Sequence, residues 1–305
     1  MTAKPKRGVS VFAPAKINLT LHITGQREDG YHLLDSLVAF GSMGDWVTMG
    51  AGTGLTLSLE GAEAASLSAD PNNLVLQAAR LLDQTDVSFR LQKNLPVASG
   101  IGGGSADAAA AYRGLLVQDE SLNAELFEAE DAFLKGYAED ILRLGADMPM
   151  CLLSKPARVT GIGEKVSLVD LPKLPAVLVN PRVPVSTPAV FDLLPTKDHA
   201  AMPADLPKFA DPEPVMDWIG QMRNDLEAPA IQLCPIIADV LAVLRDEAGC
   251  ALARMSGSGA TCFGLFHTKE AAKAAAERLY AKHPEWWVAG GFLGDQFAAA
   301  TPKFS

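Results

Sequence analysis

Residues 95–116, LPVASGIGGGSADAAAAYRGLL, decide how the chain is read: a glycine-rich segment, Ser99-Gly100-Ile101-Gly102-Gly103-Gly104-Ser105, passes directly into an alanine-rich helix. Glycines let a backbone approach an anion closely and adopt positive φ. The helix that follows offers unpaired N–H donors and a partial positive charge at its first turn. The segment therefore reads as a phosphate cradle, against the plainer alternatives of a flexible linker or a tight strand–helix turn. Ser105 either caps the helix or reaches a metal-bound phosphate oxygen. No G-x-x-x-x-G-K-[ST] occurs, and the G-x-G-x-x-G spacing of a dinucleotide site fails at Ser105.

Working outward, a short strand, Val87 to Leu91, leads into the loop, and Leu74, Ala78, Leu81 and Leu82 give helical spacing over Asn73 to Leu82. The segment Val9 to Thr24 reads as strand. From Ile17 it alternates, with Ile17, Leu19, Leu21 and Ile23 apolar and Asn18, Thr20, His22 and Thr24 polar, so one face packs on a core and the other meets solvent or ligand. A turn centred on Asp29-Gly30 follows, then strands at Leu33 to Phe40 and Leu55 to Leu59. A helix over roughly Asn123 to Leu144 ends at Gly145, which suits a C-cap. From about Lys155 the texture changes, and the stretch from Lys173 to Pro214 holds nine prolines, predicting short elements and loops. Beyond it come a helix over Ala230 to Ala248, strands at Ala251 to Met255 and Thr261 to Phe266, a helix at Lys269 to Lys282 and a strand near Trp286 to Ala289. We expect an α+β protein of two domains, 1–157 and 158–305.

Composition narrows the function classes. Hydrophobic residues make up 49% and charged residues 20%, which suits a folded chain. A net charge of −10 disfavours nucleic acid or an anionic membrane as partner, so any phosphate site must be built locally. Cys151, Cys234, Cys250 and Cys262 are scattered, with no C-x-x-C pair, which argues against structural zinc and fits a reducing compartment. The N-terminus lacks an apolar h-region and no apolar run approaches the ~20 residues that span a bilayer, so a cytoplasmic protein is expected.

Two further signals bear on chemistry. Met255-Ser256-Gly257-Ser258-Gly259-Ala260-Thr261, between two predicted strands, is either a plain hairpin turn or a second wall of the phosphate site. Lys16 and Asn18 share a strand face, and Asp147 follows the long helix. Phosphoryl transfer needs a positioned hydroxyl, charge neutralisation and a destination for the proton. Taken singly, each residue also fits a surface charge, and the sequence alone does not bring them together.

The order of a P-A-K-x-N strand, a glycine-rich loop opening a helix and a late S-G-S-G-A turn resembles the three signatures of the GHMP kinases, a superfamily that includes galactokinase, homoserine kinase and mevalonate kinase. The segment APAKINLTLHITGQREDGYHLLDSL, with IGGGSADAA, LGADMPMCL, GIGE and NDLEAPA, is similar to the branch acting on a cytidine-diphosphate-linked methylerythritol, the D-G-Y-H turn being the discriminating element. The resemblance implies a two-domain fold, with a mixed or antiparallel N-terminal sheet and a ferredoxin-like C-terminal domain. It implies ATP-dependent phosphorylation of the substrate's 2-hydroxyl, in the non-mevalonate route to isoprenoid precursors, with Mg²⁺ bridging the phosphates and no obligatory protein partner.

Carried onto matching positions, Asp147 is the expected general base and Lys16 its partner, and Asn18 holds the methylerythritol end. Tyr31 stacks on the cytosine, His32 hydrogen-bonds it, and Phe191 supplies the opposite wall with Thr187 nearby. The ATP cradle is expected to comprise Pro96, Val97, Ala98, Ser99, Gly100, Ile101, Gly102, Gly103, Gly104, Ser105 and Ala106. Ala106 stands where a second serine is frequent in the family, which leaves Ser105, or water, to serve a metal. The loop from Leu194 to Pro214 is longer than the resemblance leads one to expect.

Overall fold

The strand carrying Lys16 and Asn18, β1 (Val9–Asn18), lies antiparallel to a twenty-residue strand, β3 (His32–Ala51). The molecule is described from a computed structural model, over residues 8–118 and 138–304. Strand β3 is far longer than the eight residues expected at Leu33 to Phe40. It serves as the spine to which β2 (His22–Gln26), β5 (Val87–Gln92) and β6 (Ala157–Gly161) are also hydrogen-bonded. Gly44 lets it pass close to β1, because a Cβ there would meet the Ala13 carbonyl and the Phe12 ring. Strands β4 (Thr56–Glu60) and β7 (Lys165–Leu168) extend the sheet beside β5 and β6.

One face of this half is covered by α1 (Leu74–Leu81), capped by the Asn73 side chain, and by α2 (Gly103–Gln118). Two short helices, α3 (Ala138–Arg143) and α4 (Met148–Leu153), flank Asp147. Most of the helix expected over Asn123 to Leu144 lies outside the described residues; Gly145 has φ of +138°. The core here is built from Val11, Val38, Phe40, Val47, Leu91 and the alanines of α2, whose small side chains let the helix lie close to the sheet.

The second half adds β8 (Leu174–Asn180), α5 (Thr187–Asp192), α6 (Pro212–Gly220), α7 (Glu227–Leu233), α8 (Ile236–Asp246), β9 (Cys250–Met255), β10 (Cys262–Phe266), α9 (Lys269–Lys282), β11 (Trp287–Gly294), α10 (Phe297–Ala300) and β12 (Lys303–Phe304). The helix expected over Ala230 to Ala248 is two helices, because Pro235 cannot continue the first. The sheet runs β12-β1-β3-β11-β8-β10-β9, with Leu293 opposite Gly41 where the halves join. The β6–β7 hairpin pairs with β3, so strands of the first half continue past residue 157 to Leu168.

The polar row on β1 and β2 meets its expectation only in part, because Thr20 and His22 are covered. The strand breaks at Leu19–Leu21, where Leu21 bridges Asn224, and none of Lys16, Asn18, Thr20 and His22 faces open solvent. The proline-rich segment lies over Thr20 and His22. The Thr20 hydroxyl donates to Met202 Sδ, and the Arg223 amide donates to His22 Nε2 at 3.1 Å. Asp35 fastens that segment, accepting from the Met202 amide and from the Arg158 guanidinium, which also donates to the carbonyls of Met202, Pro203 and Ala204. The long loop from Leu194 to Pro214 thus works as a strap. Together with α6 it covers the sheet face opposite α2.

Candidate active site

The two glycine turns, 156 positions apart, are hydrogen-bonded to one another. Ser256 Oγ donates to the Gly100 carbonyl at 3.0 Å, and the Thr261 amide donates to the Ser99 carbonyl at 3.2 Å. There is no room between them: a Cβ at Gly100 would sit 2.6 Å from the Ser256 carbonyl, and one at Gly257 2.7 Å from the Gly100 carbonyl. Asn224 braces the second turn by donating to the carbonyls of Met255 and Gly257, and the Glu227 carboxylate accepts the Met255 amide. These contacts give the N-D-L-E sequence its structural purpose. Of the two readings open for the second turn, the structure supports a wall beside the cradle.

A cleft of about 650 Å³ opens in front of both turns. Lys16, Asn18, Asp147, Thr187, Phe191 and most of the cradle (Pro96 to Gly100 and Gly102 to Ser105) line it, together with Gly257 and Ser258. Ile101 and Ala106 do not, because their side chains are buried in the core. What Ile101 offers the site is its carbonyl, which accepts the Lys16 amide at 2.9 Å.

Lys16 and Asp147 meet. Lys16 Nζ lies 3.0 Å from Asp147 Oδ2 and donates to Asn18 Oδ1 at 2.9 Å, and Asn18 Nδ2 donates in turn to Ser36 Oγ. Lys16 is nearly buried while the Asp147 side chain is 33% exposed, so the carboxylate faces the cleft with its cation behind it. Gly102, at φ +63°, packs on this pair; a Cβ there would lie 3.1 Å from Lys16 Cε and 3.3 Å from Asp147 Oδ2. Gly163 closes the back, since a Cβ there would press on Ala146. The Ser105 hydroxyl lies beside Gly145, a few residues from the catalytic candidate.

A second lysine lies behind the loop. Lys93 Nζ is 2.5 Å from Asp45 Oδ2 and 2.7 Å from Asp107 Oδ2, all three side chains being buried. Asp45 Oδ1 also accepts the amides of Asn94 and Leu95, which lead into the cradle. Burial raises the Asp107 carboxyl above its ordinary range, and the Lys93 ammonium pulls against that rise. Burial also opposes the Lys93 ammonium, but Asp107 and Asp45 outweigh it and hold its pKa above the ordinary lysine value.

The other end of the cleft differs from expectation. Thr187 Oγ1 and Ser258 Oγ are hydrogen-bonded at 2.7 Å, and Phe191 lines the cavity. The aromatic sandwich of Tyr31 and Phe191 is not assembled. His32 stacks on Phe191 with ring centroids 4.5 Å apart, while Tyr31 is 60% exposed, and neither Tyr31 nor His32 lines the cleft. The D-G-Y turn is polar and its Asp29 ties locally to Arg27 and to the Tyr31 amide, so nothing draws the tyrosine inward. Burial, then Lys197, lowers the pKa of His32, which favours the neutral ring seen stacking. A wall that the sequence reading missed consists of Leu67, Ser68, Asp70, Asn72, Asn73 and Leu74. Its signal was the Asn73 cap of α1, which puts a helix start at the cleft edge.

Comparison with known proteins agrees with this architecture. Residues 73–155 match the GHMP kinases N terminal domain and residues 205–285 match GHMP kinases C terminal. A crystal structure of homoserine kinase from Cytophaga hutchinsonii has the same fold (TM-score 0.67, 18% identity, covering 100% of this chain and 99% of that one). The fold and the twin glycine turns are those of a GHMP kinase, an ATP-dependent small-molecule kinase.

Nearer relatives are more specific. The 4-diphosphocytidyl-2-C-methyl-D-erythritol kinase of Roseobacter denitrificans is 50% identical over 299 residues, covering 97% of each chain. That of Paracoccus denitrificans is 52% identical over 282 residues, covering 92% of this chain and 95% of the other. A crystal structure of 4-(cytidine 5'-diphospho)-2C-methyl-D-erythritol kinase superimposes with TM-score 0.73 at 32% identity, covering 93% of this chain and 99% of that one. The chain belongs to the 4-diphosphocytidyl-2-C-methyl-D-erythritol kinase family.

Proposed function

We propose that the cleft transfers the γ-phosphoryl group of ATP to the 2-hydroxyl of 4-diphosphocytidyl-2-C-methyl-D-erythritol, with Asp147 as general base. The observation that carries this reading is the Lys16–Asp147 pair, 3.0 Å apart and packed against Gly102 of the cradle. The acceptor hydroxyl gives its proton to the Asp147 carboxylate while its oxygen forms the new bond to the γ-phosphorus. The bond from that phosphorus to the β,γ-bridging oxygen breaks, and ADP leaves. Lys16, with one of its three donors on Asn18 and another toward Asp147, offsets the charge gathering between donor and acceptor. The cradle amides and the first turn of α2 take the donor phosphates.

Mg²⁺ fits the donor set. Among the described residues no cluster of three or more His, Cys, Asp or Glu side chains could hold a metal alone. A cation carried on substrate phosphates needs only one or two protein oxygens, however, and Ser105 borders the cleft. When bound, it neutralises phosphate charge.

At the acceptor end we assign the cytosine to Phe191 and Tyr31, with His32 as the hydrogen-bonding partner once it leaves the face of Phe191. Stacking tolerates any base, so selection falls to the histidine. The donor rests mainly on the first half, residues 1–157, and the acceptor base partly on the second, residues 158–305. The four free cysteines support a reducing compartment, and we place the enzyme in the cytoplasm. The test is ADP release measured with and without 4-diphosphocytidyl-2-C-methyl-D-erythritol. Turnover that depends on this acceptor is expected; tight binding of it without ADP release overturns the assignment.

A further inference from the structure

Two consecutive glycines of the cradle each rest on a lysine from a different strand. Gly102 packs on Lys16, while a Cβ at Gly103, the first residue of α2, would lie 3.1 Å from Lys93 Nζ. Lys93 is 2% exposed, yet it borders the cleft, as does Asp107. Its two carboxylates hold the opposite ends of the loop. Asp45 accepts the Asn94 and Leu95 amides at 2.5 and 2.8 Å on the entry side, and Asp107 stands in the first turns of α2 on the exit side. The Asp107 Oδ1 atom is buried with no partner among the described residues, so this cluster is not a fully satisfied core network. A core that needed only stability would do as well with apolar residues here, since desolvating three charges costs about what their pairing returns.

We propose that Lys93 is a positioning residue for the donor phosphates, setting the direction of the cradle amides from beneath the loop, opposite Lys16. The inference rests on the reading that ATP phosphates occupy the cradle. Lys93 acts through the loop and its own field, with its ammonium committed to Asp45 and Asp107, so it is not a group that touches the moving phosphoryl.

The experiment is equilibrium binding of a non-hydrolysable ATP analogue and of AMP to the full chain, for wild type, Asp107→Asn and Lys93→Met/Asp107→Asn, with the acceptor KM measured in parallel. The single variant keeps an acceptor for Lys93 but removes one counter-charge, and its preference for the ATP analogue over AMP is expected to rise about threefold. The double variant removes the Lys93–Asp107 pair as a neutral unit and leaves Asp45 held by the Asn94 and Leu95 amides, and that preference is expected to fall about tenfold, with the acceptor KM within twofold. Movement of the ratio in the same direction in both, or in neither, overturns the proposal. If the double variant does not fold, an unchanged ratio in Asp107→Asn overturns it alone. A wild type that does not prefer the ATP analogue to AMP overturns the cradle reading itself, and this inference with it.

Discussion

Lys16 and Lys93 flank the same glycine loop, both nearly buried and both ion-paired to aspartate, but their surroundings differ in one respect. The carboxylate facing Lys16 is one-third open to the cleft, whereas Asp45 and Asp107 around Lys93 are sealed. An ion pair at an open edge can exchange a proton with a ligand and change its partners during a reaction. A sealed cluster has no such freedom, and breaking it leaves a charge stranded in the interior. The same residue types therefore give chemistry on one side of the loop and geometry on the other.

The sharpest test of that division is Asp147→Asn. The amide keeps the shape of the carboxylate but cannot take a proton, and kcat is expected to fall by about 10²–10⁴. Because the side chain is partly exposed, the thermal unfolding midpoint should stay where it is in wild type. A rate within a few-fold of wild type would mean that positioning and charge alone drive transfer. The opposite profile is expected at Asp45→Ala, which takes one of the two carboxylates from Lys93 and leaves the Asn94 and Leu95 amides unpaired. Chemical denaturation should show a loss of about 3–5 kcal/mol. A loss below about 1 kcal/mol would show that the sealed cluster is not a scaffold.

How far the sequence foretold this arrangement depends on the range of the contacts. The cradle, the second glycine turn and the parity of Lys16 with Asn18 are local patterns, and they were legible. That Lys16 and Asp147 meet is a tertiary fact: it depends on the β1–β3 register and on Gly163 backing Ala146, and family resemblance rather than spacing supplied it. Lys93 escaped notice because one lysine at a strand end has no periodic signature. Its meaning comes from Asp45, 48 positions earlier, and Asp107, 14 later. The polar row was misread as meeting solvent or ligand throughout, since nothing in β2 announces that the strap anchored on Asp35 will cover Thr20 and His22.

A variant that leaves both lysines untouched serves as the control for the comparison. Tyr31→Ala removes an exposed ring that lies outside the cleft, and under the proposed cytosine assignment the loss should appear in the acceptor KM, at the ~1–3 kcal/mol typical of base stacking. Binding of the ATP analogue should be unchanged. A selective loss of ATP binding would show that the cytosine has been placed at the wrong end.

The finest distinction lies between two neighbouring glycines. Gly102 has φ of +63°, where an L side chain costs about 1–2 kcal/mol, and its added Cβ would press on both members of the Lys16–Asp147 pair. Gly103 opens α2 without a left-handed φ, and its added Cβ would press on the end of the Lys93 side chain and touch Leu95 at ordinary contact distance, while alanine favours the helix by about 0.5–1 kcal/mol. Gly102→Ala should therefore lower kcat about tenfold by displacing the base and its cation. Gly103→Ala should leave kcat nearly unchanged and alter the affinity for ATP by about threefold or less, since only the sealed side of the loop is asked to yield. Equal effects of the two substitutions on kcat would mean that the open and sealed sides of the cradle are not mechanically separate. The contrast between the two lysines would then describe burial alone and not function.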